Sequence, residues 1–113
     1  MTISTPNNPH ENESISDSFK DGKLQRRSIT KGNLIFSMDY MPEAGSFYGS
    51  VIKQNGKEFE HIYTITEYAS DQRVEFPYPE LTEIRDMLAK IWAEDIQKWC
   101  AKNRAINVGT MPI

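Results

Sequence analysis

Three segments in the middle of the chain alternate apolar and polar residues with the period of two that is typical of β-strands. The first runs from Leu34 to Met41, the second from Ser46 to about Gln54, and the third from Lys57 to about Tyr68. Residues 42–45 contain a proline and a glycine, which suit a four-residue hairpin loop, and Asn55-Gly56 is a favoured pair for a two-residue type I′ turn. The pattern therefore predicts an antiparallel β-meander.

The two turns predict a register. Between the first two strands, the opposite pairs are expected to be Tyr40 with Phe47, Met38 with Gly49, and Phe36 with Val51. Between the second and third, they are expected to be Gln54 with Lys57, Lys53 with Glu58, Ile52 with Phe59, Ser50 with His61, and Tyr48 with Tyr63. Opposite-charge and aromatic pairs of this kind stabilise β-ladders, which favours this register over a slip by one residue.

This register places bulky side chains on both faces of the sheet, because side chains alternate between faces along a strand. The more apolar face, which is expected to be the core, carries Phe36, Met38, Tyr40, Phe47, Val51 and Ile62. The second face carries Ile35, Tyr48, Ile52, Phe59, His61, Tyr63 and Ile65, with Ser37, Asp39 and Ser50 between them.

The C-terminal part of the chain changes to a helical period. Residues 73–76 alternate and predict a short fourth strand, which two prolines then end. Pro79, followed by Glu80, fits the first turn of a helix, and we expect one long helix from about Pro79 to Asn103. Its apolar side chains share one stripe that is typical of core packing: Leu81, Ile84, Leu88, Ile91, Trp92, Ile96 and Trp99.

The N-terminal part is predicted to be an arm. Residues 1–21 are mainly Ser, Thr, Asn, Pro and acidic residues without either period. Residues 20–31 are basic with Leu24 and Ile29 among them, and we interpret them as a solvated linker, with a short edge strand or a phosphate-contacting segment as the alternatives. We therefore divide the chain into a flexible N-terminal arm with a basic end, residues 1–31, and a single α+β domain, residues 32–113. The expected fold is an antiparallel three- to four-stranded β-meander followed by one long C-terminal helix that packs on one sheet face.

The predicted fold has more bulky sheet residues than its helix can cover. A single helix covers one face, so the second face is expected to need a partner, because large exposed apolar patches on monomeric proteins commonly mark interaction sites. The candidate partner-binding residues are Tyr48, Ile52, Phe59, His61 and Tyr63. Alternatively, the chain's own termini cover that face through Leu24, Ile29, Ile106, Val108 and Met111, and the protein is a plain monomer.

Composition and charge narrow the classes of function. The chain has 113 residues and a net charge of −3, with +1 in residues 1–31 and −4 in the rest, so its predicted folded part is acidic and disfavours non-specific binding to duplex nucleic acid. It contains a single cysteine, which excludes an internal disulfide framework. The first residues lack the pattern of a secretory signal, no apolar run is long enough for a membrane span, and we expect a cytoplasmic protein.

Candidate chemistry is sparse. His61 and Cys100 are the conventional candidates for a catalytic dyad, but each is better explained as a structural residue, and we expect no enzyme activity. Two histidines far apart in sequence and one cysteine give no zinc-ligand spacing, so neither a metal nor a cofactor is expected. Asp95 falls within the apolar stripe of the helix and should meet a base or a hydroxyl from the sheet or the tail, or lie at a wet edge.

The sequence thus favours a small non-enzymatic protein-binding module that acts by occupancy. It is expected to use the aromatic second face or the open edge of the sheet, with another protein or a second copy of itself as the partner. The alternative is a single-stranded nucleic-acid-binding protein that stacks bases on Tyr48, Phe59 and Tyr63. Small sheet-plus-helix proteins without catalytic motifs often act as stoichiometric inhibitors or adaptors, some of them accessory proteins of phages or mobile elements, and this analogy rests on fold alone. No small-molecule substrate is evident.

Overall fold

A computed structural model of the protein describes residues 13–71 and 75–110, with backbone alone for residues 103–110. The described chain forms an antiparallel five-stranded sheet followed by two α-helices, which makes it an α+β fold. The strands are β1 (Glu13–Lys20), β2 (Lys23–Lys31), β3 (Leu34–Met41), β4 (Ser46–Asn55) and β5 (Glu58–Tyr68). A short 3-10 turn (Ala69–Asp71), helix α1 (Pro79–Ile91) and helix α2 (Ala93–Thr110) complete it.

The sheet is a meander in which each strand pairs with the next, in the order β1-β2-β3-β4-β5. Three of its four connections are two-residue turns that match the right-handed twist of paired strands. The β1–β2 turn is Asp21-Gly22, in which both residues have positive φ (54° and 77°), as a type I′ turn requires. The β2–β3 turn, Gly32-Asn33, and the β4–β5 turn, Gly56-Lys57, each begin with a glycine of positive φ.

The prediction of three to four strands is wrong in number, because residues 13–31 contribute β1 and β2 instead of an arm. The apolar residues of β1 and β2 are few and dispersed, so neither strand shows a strong period. The Asp21-Gly22 pair, however, is a strong hairpin signal. Residues 1–12 of the predicted arm lie outside the described residues.

The register between β3 and β4 confirms the prediction: Tyr40 lies opposite Phe47, Met38 opposite Gly49, and Phe36 opposite Val51. The register between β4 and β5 differs from the prediction by two residues, because the turn begins at Gly56 and Asn55 lies opposite Glu58.

A β-bulge then shifts the register between β4 and β5 by one further residue. Ile52 lies opposite His61, but its neighbour Val51 lies opposite Tyr63, so Ile62 is the extra residue. An odd shift exchanges the two faces for the rest of a strand. Tyr63 and Ile65 consequently lie on the core face, whereas Ile62, which we expected in the core, is partly exposed.

Both helices pack on one face of the sheet, which we call the inner face, and α1 lies over β2, β3 and β4. The core is formed by apolar side chains from this face, the 3-10 turn, the segment before α1 and the helices. These residues are Leu24, Phe36, Met38, Tyr40, Phe47, Val51, Ala69, Phe76, Leu81, Ile84, Leu88, Trp92 and Ile96. Five of the seven predicted stripe residues are in this set, so the assignment of the stripe to the core is confirmed in large part.

The prediction of one uninterrupted helix is wrong, because the helix breaks at Trp92. Trp92 has φ −103° and ψ 24°, and its backbone N–H still donates to the Leu88 carbonyl. Its indole Nε1 donates to the backbone carbonyl of Leu24 at 2.8 Å, which ties the break to β2. Helix α2, which follows the break, reaches the β3–β4 turn, where the Trp99 indole donates to the Pro42 carbonyl.

The predicted fourth strand is not present in the part of residues 73–76 that the structure describes. Glu75 and Phe76 have no strand pairing, and the other two residues lie outside the described ranges. Phe76 instead fixes the start of α1, because its backbone N–H donates to the Thr82 hydroxyl at 2.7 Å while its side chain is buried.

Polar contacts in the interior attach both helices to the sheet. The carboxylate of Asp95 accepts a hydrogen bond from the Tyr40 hydroxyl at 2.5 Å, so the expectation that Asp95 meets a hydroxyl from the sheet is confirmed. On α1, the Arg85 guanidinium donates to the Glu67 carboxylate of β5 at 2.7 Å, with both side chains buried. Charges buried in this way are tolerated because they are paired and hydrogen-bonded.

Candidate functional site

The opposite face of the sheet, which we call the outer face, is the candidate site. Both helices contact the inner face, and within residues 13–71 and 75–110 no helix or strand lies over the outer face. Its side chains are those that alternate with the core residues along each strand. The register of the five strands arranges them in rows that cross the sheet from edge to edge.

The central row, which we call the hydroxyl row, contributes one serine or threonine from every strand. Its members are Ser16, Ser28, Ser37, Ser50 and Thr64, each opposite the next. The hydroxyls of Ser28 and Ser37 lie 2.8 Å apart and share a hydrogen bond. Ser37 on β3 and Ser50 on β4 are buried. The row is therefore a shallow polar trough across the sheet.

One side of the trough, toward the β4–β5 turn, is apolar. Ile35 lies opposite Ile52, and Ile52 lies opposite His61. Phe59, two residues before His61 on the same strand, lies opposite Gln54 and is 60% exposed. We call the group Ile35, Ile52, Phe59 and His61 the turn-side cluster. It contains three of the five residues predicted to bind a partner.

The other side of the trough, toward the β3–β4 turn, carries a second cluster. Tyr48 is partly exposed, and its diagonal neighbours are Met41 and Tyr68, which both lie opposite Ser46. Tyr68 is 66% exposed, and we call these three residues, Met41, Tyr48 and Tyr68, the tyrosine cluster. Tyr48 was predicted as a site residue, whereas Met41 and Tyr68 were missed, because they end their strands and the sequence does not show that both meet at Ser46.

Tyr63, the fifth predicted site residue, lies on the inner face. The bulge at Ile62 turns its ring toward the helices, where it packs against Tyr78 with ring centroids 5.5 Å apart. The predicted site is thus partly assembled. Ile52, Phe59 and His61 lie together in the turn-side cluster. Tyr48 lies four residues from Ile52 along β4, on the other side of the trough, a distance of about 14 Å at the rise of a strand. Tyr63 is part of the packing between the sheet and the helices.

The outer face is close to electrically neutral. Its hydroxyl row and the two rows beside it contain one basic residue, Arg26, and one acidic residue, Asp39, which lie opposite each other. Partial burial raises the pKa of the Asp39 carboxyl, and the nearby Arg26 guanidinium opposes this shift. A binding surface for nucleic acid needs several cations to meet phosphates. This face therefore gives little support to the nucleic-acid alternative.

A groove adjoins the tyrosine cluster. Tyr68 and Trp99 line it together with Ala44, Gly45 and Ser70, and it encloses about 350 Å³. The Trp99 ring lies against the Gly45 backbone, and the Lys102 ammonium lies 4.9 Å from the centre of the Trp99 rings. The groove thus continues the exposed aromatic surface from the outer face around the end of the sheet toward α2.

The residues considered for catalysis are not brought together. His61 points to the outer face, whereas Cys100 and Asp95 belong to α2 and pack on the inner side of the sheet. Among the described residues there is no group of three His, Cys, Asp or Glu side chains placed to hold a metal ion. The described helices also include none of the length and apolar character required to cross a membrane.

Comparisons of this chain with protein-family models, with curated proteins and with solved structures gave no match.

Proposed function

We propose that this protein is a non-catalytic protein-binding module that holds a partner protein on the outer face of its sheet and acts by occupancy. The observation that carries the proposal is the five-stranded sheet whose described helices all pack on one side, while exposed Tyr48, Phe59 and Tyr68 stand on the other.

The composition of this face suits a protein partner. Tyrosine and phenylalanine offer large contact area with few rotatable bonds, and serine and threonine add adaptable hydrogen bonds, which is the combination used by antibody binding sites. Five strands spaced about 4.8 Å apart, and about 25 Å of strand length, give a flat area of roughly 600 Å². A standard interface buries about 800 Å² per partner, so the face is large enough for most of one.

The arrangement of side chains on the outer face indicates what surface a partner should present. Two apolar clusters stand about 14 Å apart on either side of a polar trough. A matching partner presents two apolar side chains at that separation and a polar ridge between them. Because the face is nearly neutral, the partner needs no large excess of either charge, and binding should depend only weakly on salt.

The test uses the full-length protein as bait and then quantifies one recovered partner by calorimetry. We expect the double variant Tyr48→Ala with Phe59→Ala to weaken binding at least tenfold, since aromatic anchors commonly contribute more than 1 kcal/mol each. The matched control is Gln97→Ala with Lys98→Ala, which removes two exposed side chains from α2 on the opposite side. Unchanged affinity of the Tyr48 and Phe59 variant, or equal weakening by the control, would rule out the outer face as the binding surface.

A further inference from the structure

Strand β1 forms one edge of the sheet and is fixed to the protein through β2 alone among the described strands. Seven of its eight residues are exposed. An edge strand presents a row of backbone N–H and C=O groups that can pair with another strand. Natural edges are commonly protected by proline, lysine, bulges or short length. The interior of β1, residues 14–19, contains neither proline nor lysine, and the irregularity of its ladder, between Ser18 and Phe19, places the extra residue on β2 and not on β1.

The inner side of β1 also carries apolar side chains that the helices leave uncovered. Ile15 is 59% exposed and Phe19 is 66% exposed, although their neighbours across the ladder, Ile29 and Leu24, pack into the core. Helix α1 lies over β2, β3 and β4, so β1 extends beyond it. The apolar surface of the core therefore continues onto a strand that lacks cover of its own within the described part of the chain.

We infer that β1 pairs with β1 of a second copy of this chain, antiparallel and about a two-fold axis at Asp17, so that two sheets join into one of ten strands. The order of residues in β1 favours a second copy over an unrelated strand. In an antiparallel pair about a two-fold axis, residues at equal distances before and after the axis lie opposite each other, so the side chains at these positions must be compatible. From Asp17 outward, β1 has Ser16 and Ser18, then Ile15 and Phe19.

This register places apolar residues opposite apolar residues and serines opposite serines across the new β-ladder. Ile15 lies opposite the Phe19 of the other copy on the inner side, twice by symmetry, and closes the apolar gap between the two copies of α1. Ser16 lies opposite Ser18 of the other copy on the outer side. Registers displaced by two residues in either direction would instead place Asp17 opposite Ile15 or Phe19, which would bury a carboxylate against apolar side chains.

The two Asp17 side chains meet at the axis, and each already has a positive partner. The Arg27 guanidinium donates to both carboxylate oxygens of Asp17, at 2.8 Å each. This bidentate contact lowers the pKa of the Asp17 carboxyl, first through the hydrogen bond. Across the joined sheet this row therefore runs Arg27, Asp17, Asp17, Arg27, which is neutral overall. The guanidinium group beside each carboxylate offsets part of the repulsion between the two adjacent carboxylates.

The dimer is independent of the proposed partner site, because the edge and the outer face are different surfaces. The axis is perpendicular to the sheet, so both outer faces lie on the same side of the joined sheet. Ser16, at the end of the hydroxyl row of one copy, then lies opposite Ser18 of the other copy, whose own row continues through Arg26 and Asp39. A partner protein could be bound by each half.

Multi-angle light scattering across a dilution series of the full chain tests the association. We expect the wild type to form dimers, and Ile15→Lys to raise the dimer dissociation constant at least tenfold, because it places a lysine at each of two symmetric contacts. Ile15 is exposed in the monomer, so circular dichroism should show an unchanged fold. The comparison variant is Phe59→Lys, which changes an equally exposed residue of the outer face and should leave the dimer intact.

Cysteine cross-linking tests the register, in a Cys100→Ser background. Asp17→Cys lies opposite its own copy, at a Cα separation of about 4.5 to 5.5 Å that suits a disulfide. Ser14→Cys on the same exposed strand lies about 20 Å from its copy, six residues along the ladder. We expect mild oxidation to link the Asp17→Cys variant and to leave the Ser14→Cys variant as a monomer on a non-reducing gel.

Several outcomes would overturn the inference. A wild type that stays monomeric at millimolar concentration would exclude self-pairing and leave β1 as an edge for another protein. A dimer that Phe59→Lys breaks and Ile15→Lys leaves intact would place self-association on the outer face instead. Equal cross-linking of the two cysteine variants would contradict the register at Asp17.

Discussion

Gly45 in the β3–β4 turn determines how closely α2 can approach the sheet, and replacing it with alanine should have a large effect. A Cβ at this position would overlap Cδ2 of Trp99 and lie 2.6 Å from its Cγ, well inside contact distance. The backbone has little freedom to move away. Its N–H donates to the Met41 carbonyl, and its carbonyl accepts from the Ala69 N–H, each at 2.8 Å.

The expected cost of Gly45→Ala has two parts. Gly45 has φ +60°, and a residue with a side chain in that conformation costs about 1 to 2 kcal/mol. The indole must also move, which weakens its hydrogen bond to Pro42, worth about 1 kcal/mol, and strains the packing by about 1 to 3 kcal/mol. We therefore expect Gly45→Ala to lower the free energy of unfolding by about 3 to 6 kcal/mol, a large share of the roughly 5 to 15 kcal/mol that is typical of a domain.

Gly32 provides the matched control. It also has φ +60°, but a Cβ there would have no neighbour within 4 Å. Gly32→Ala should therefore show the conformational part alone, about 1 to 2 kcal/mol. Urea unfolding, followed by circular dichroism and tryptophan fluorescence, measures both variants on the same scale.

A double-mutant cycle isolates the contact with the indole. In a Trp99→Ala background, Gly45→Ala should cost no more than Gly32→Ala, because the ring that obstructs the new Cβ is gone. If Gly45→Ala and Gly32→Ala destabilise the wild type equally, then Trp99 does not fix α2 against this turn and the reasoning is wrong.

Three further predictions concern the interior and the outer face. Arg85 is 1% exposed and Glu67 is 5% exposed, and the two form a buried ion pair. Arg85→Met leaves the Glu67 carboxylate without that guanidinium and should lower the free energy of urea unfolding by about 3 to 5 kcal/mol. The double variant Arg85→Met with Glu67→Leu should recover most of this loss. Tyr40→Phe removes the hydroxyl that donates to Asp95 and should cost about 1 to 2 kcal/mol near neutral pH. Burial, and then the Asp95 hydrogen bond, raise the pKa of Tyr40 above its ordinary value of 10.0, so the folded state keeps the proton that the unfolded state loses. The stabilising contribution of Tyr40 is therefore complete below pH 10 and declines as the pH rises further, and unfolding midpoints of wild type and Tyr40→Phe should converge there. Single-stranded oligonucleotides should give no gel shift at physiological salt, because Arg26 is the one Lys or Arg side chain in the three central rows of the outer face. A salt-dependent gel shift that Tyr48→Ala abolishes would instead support nucleic-acid binding by base stacking on this face.

The strong local signals in the sequence were sufficient for the central part of the fold. Period-two alternation located β3, β4 and β5, and the four-residue loop at residues 42–45 fixed the β3–β4 register without error. The apolar stripe identified the helical segment and most of its buried residues. These features depend on neighbours in sequence, so no knowledge of distant contacts is needed to recognise them.

The register between β4 and β5 could not be predicted from local sequence signals. Asn55-Gly56 and Gly56-Lys57 are both acceptable two-residue turns. The registers that they give differ by two residues and place the same side chains on each face, so the alternation of apolar and polar residues does not distinguish them. The bulge at Ile62 cannot be recognised from alternation, because it interrupts the alternation. It moves Tyr63 to the inner face, and the candidate site loses a residue that a regular strand would have placed there.

Two strands and one helix break were missed for a related reason. The strands β1 and β2 are weakly patterned, and they are held in the sheet because β2 pairs with β3 and β1 pairs with β2. The Asp21-Gly22 turn between them nevertheless signals a hairpin. The break at Trp92 occurs inside a continuous helical pattern, because the indole is held by the Leu24 carbonyl of β2. Propensity is a weak preference that such tertiary contacts override.

By itself, the sequence determined that the chain has a β-meander, an amphipathic helical segment and apolar residues on both sides of its sheet, since these follow from periodicity and turn chemistry between near neighbours. Only the tertiary structure decided which aromatic residues share the outer face, that a row of hydroxyls separates them, and that β1 ends the sheet with Ile15 and Phe19 uncovered. The physical reason is that faces and edges depend on register and on the reach of α1, and both are fixed by contacts between residues far apart along the chain.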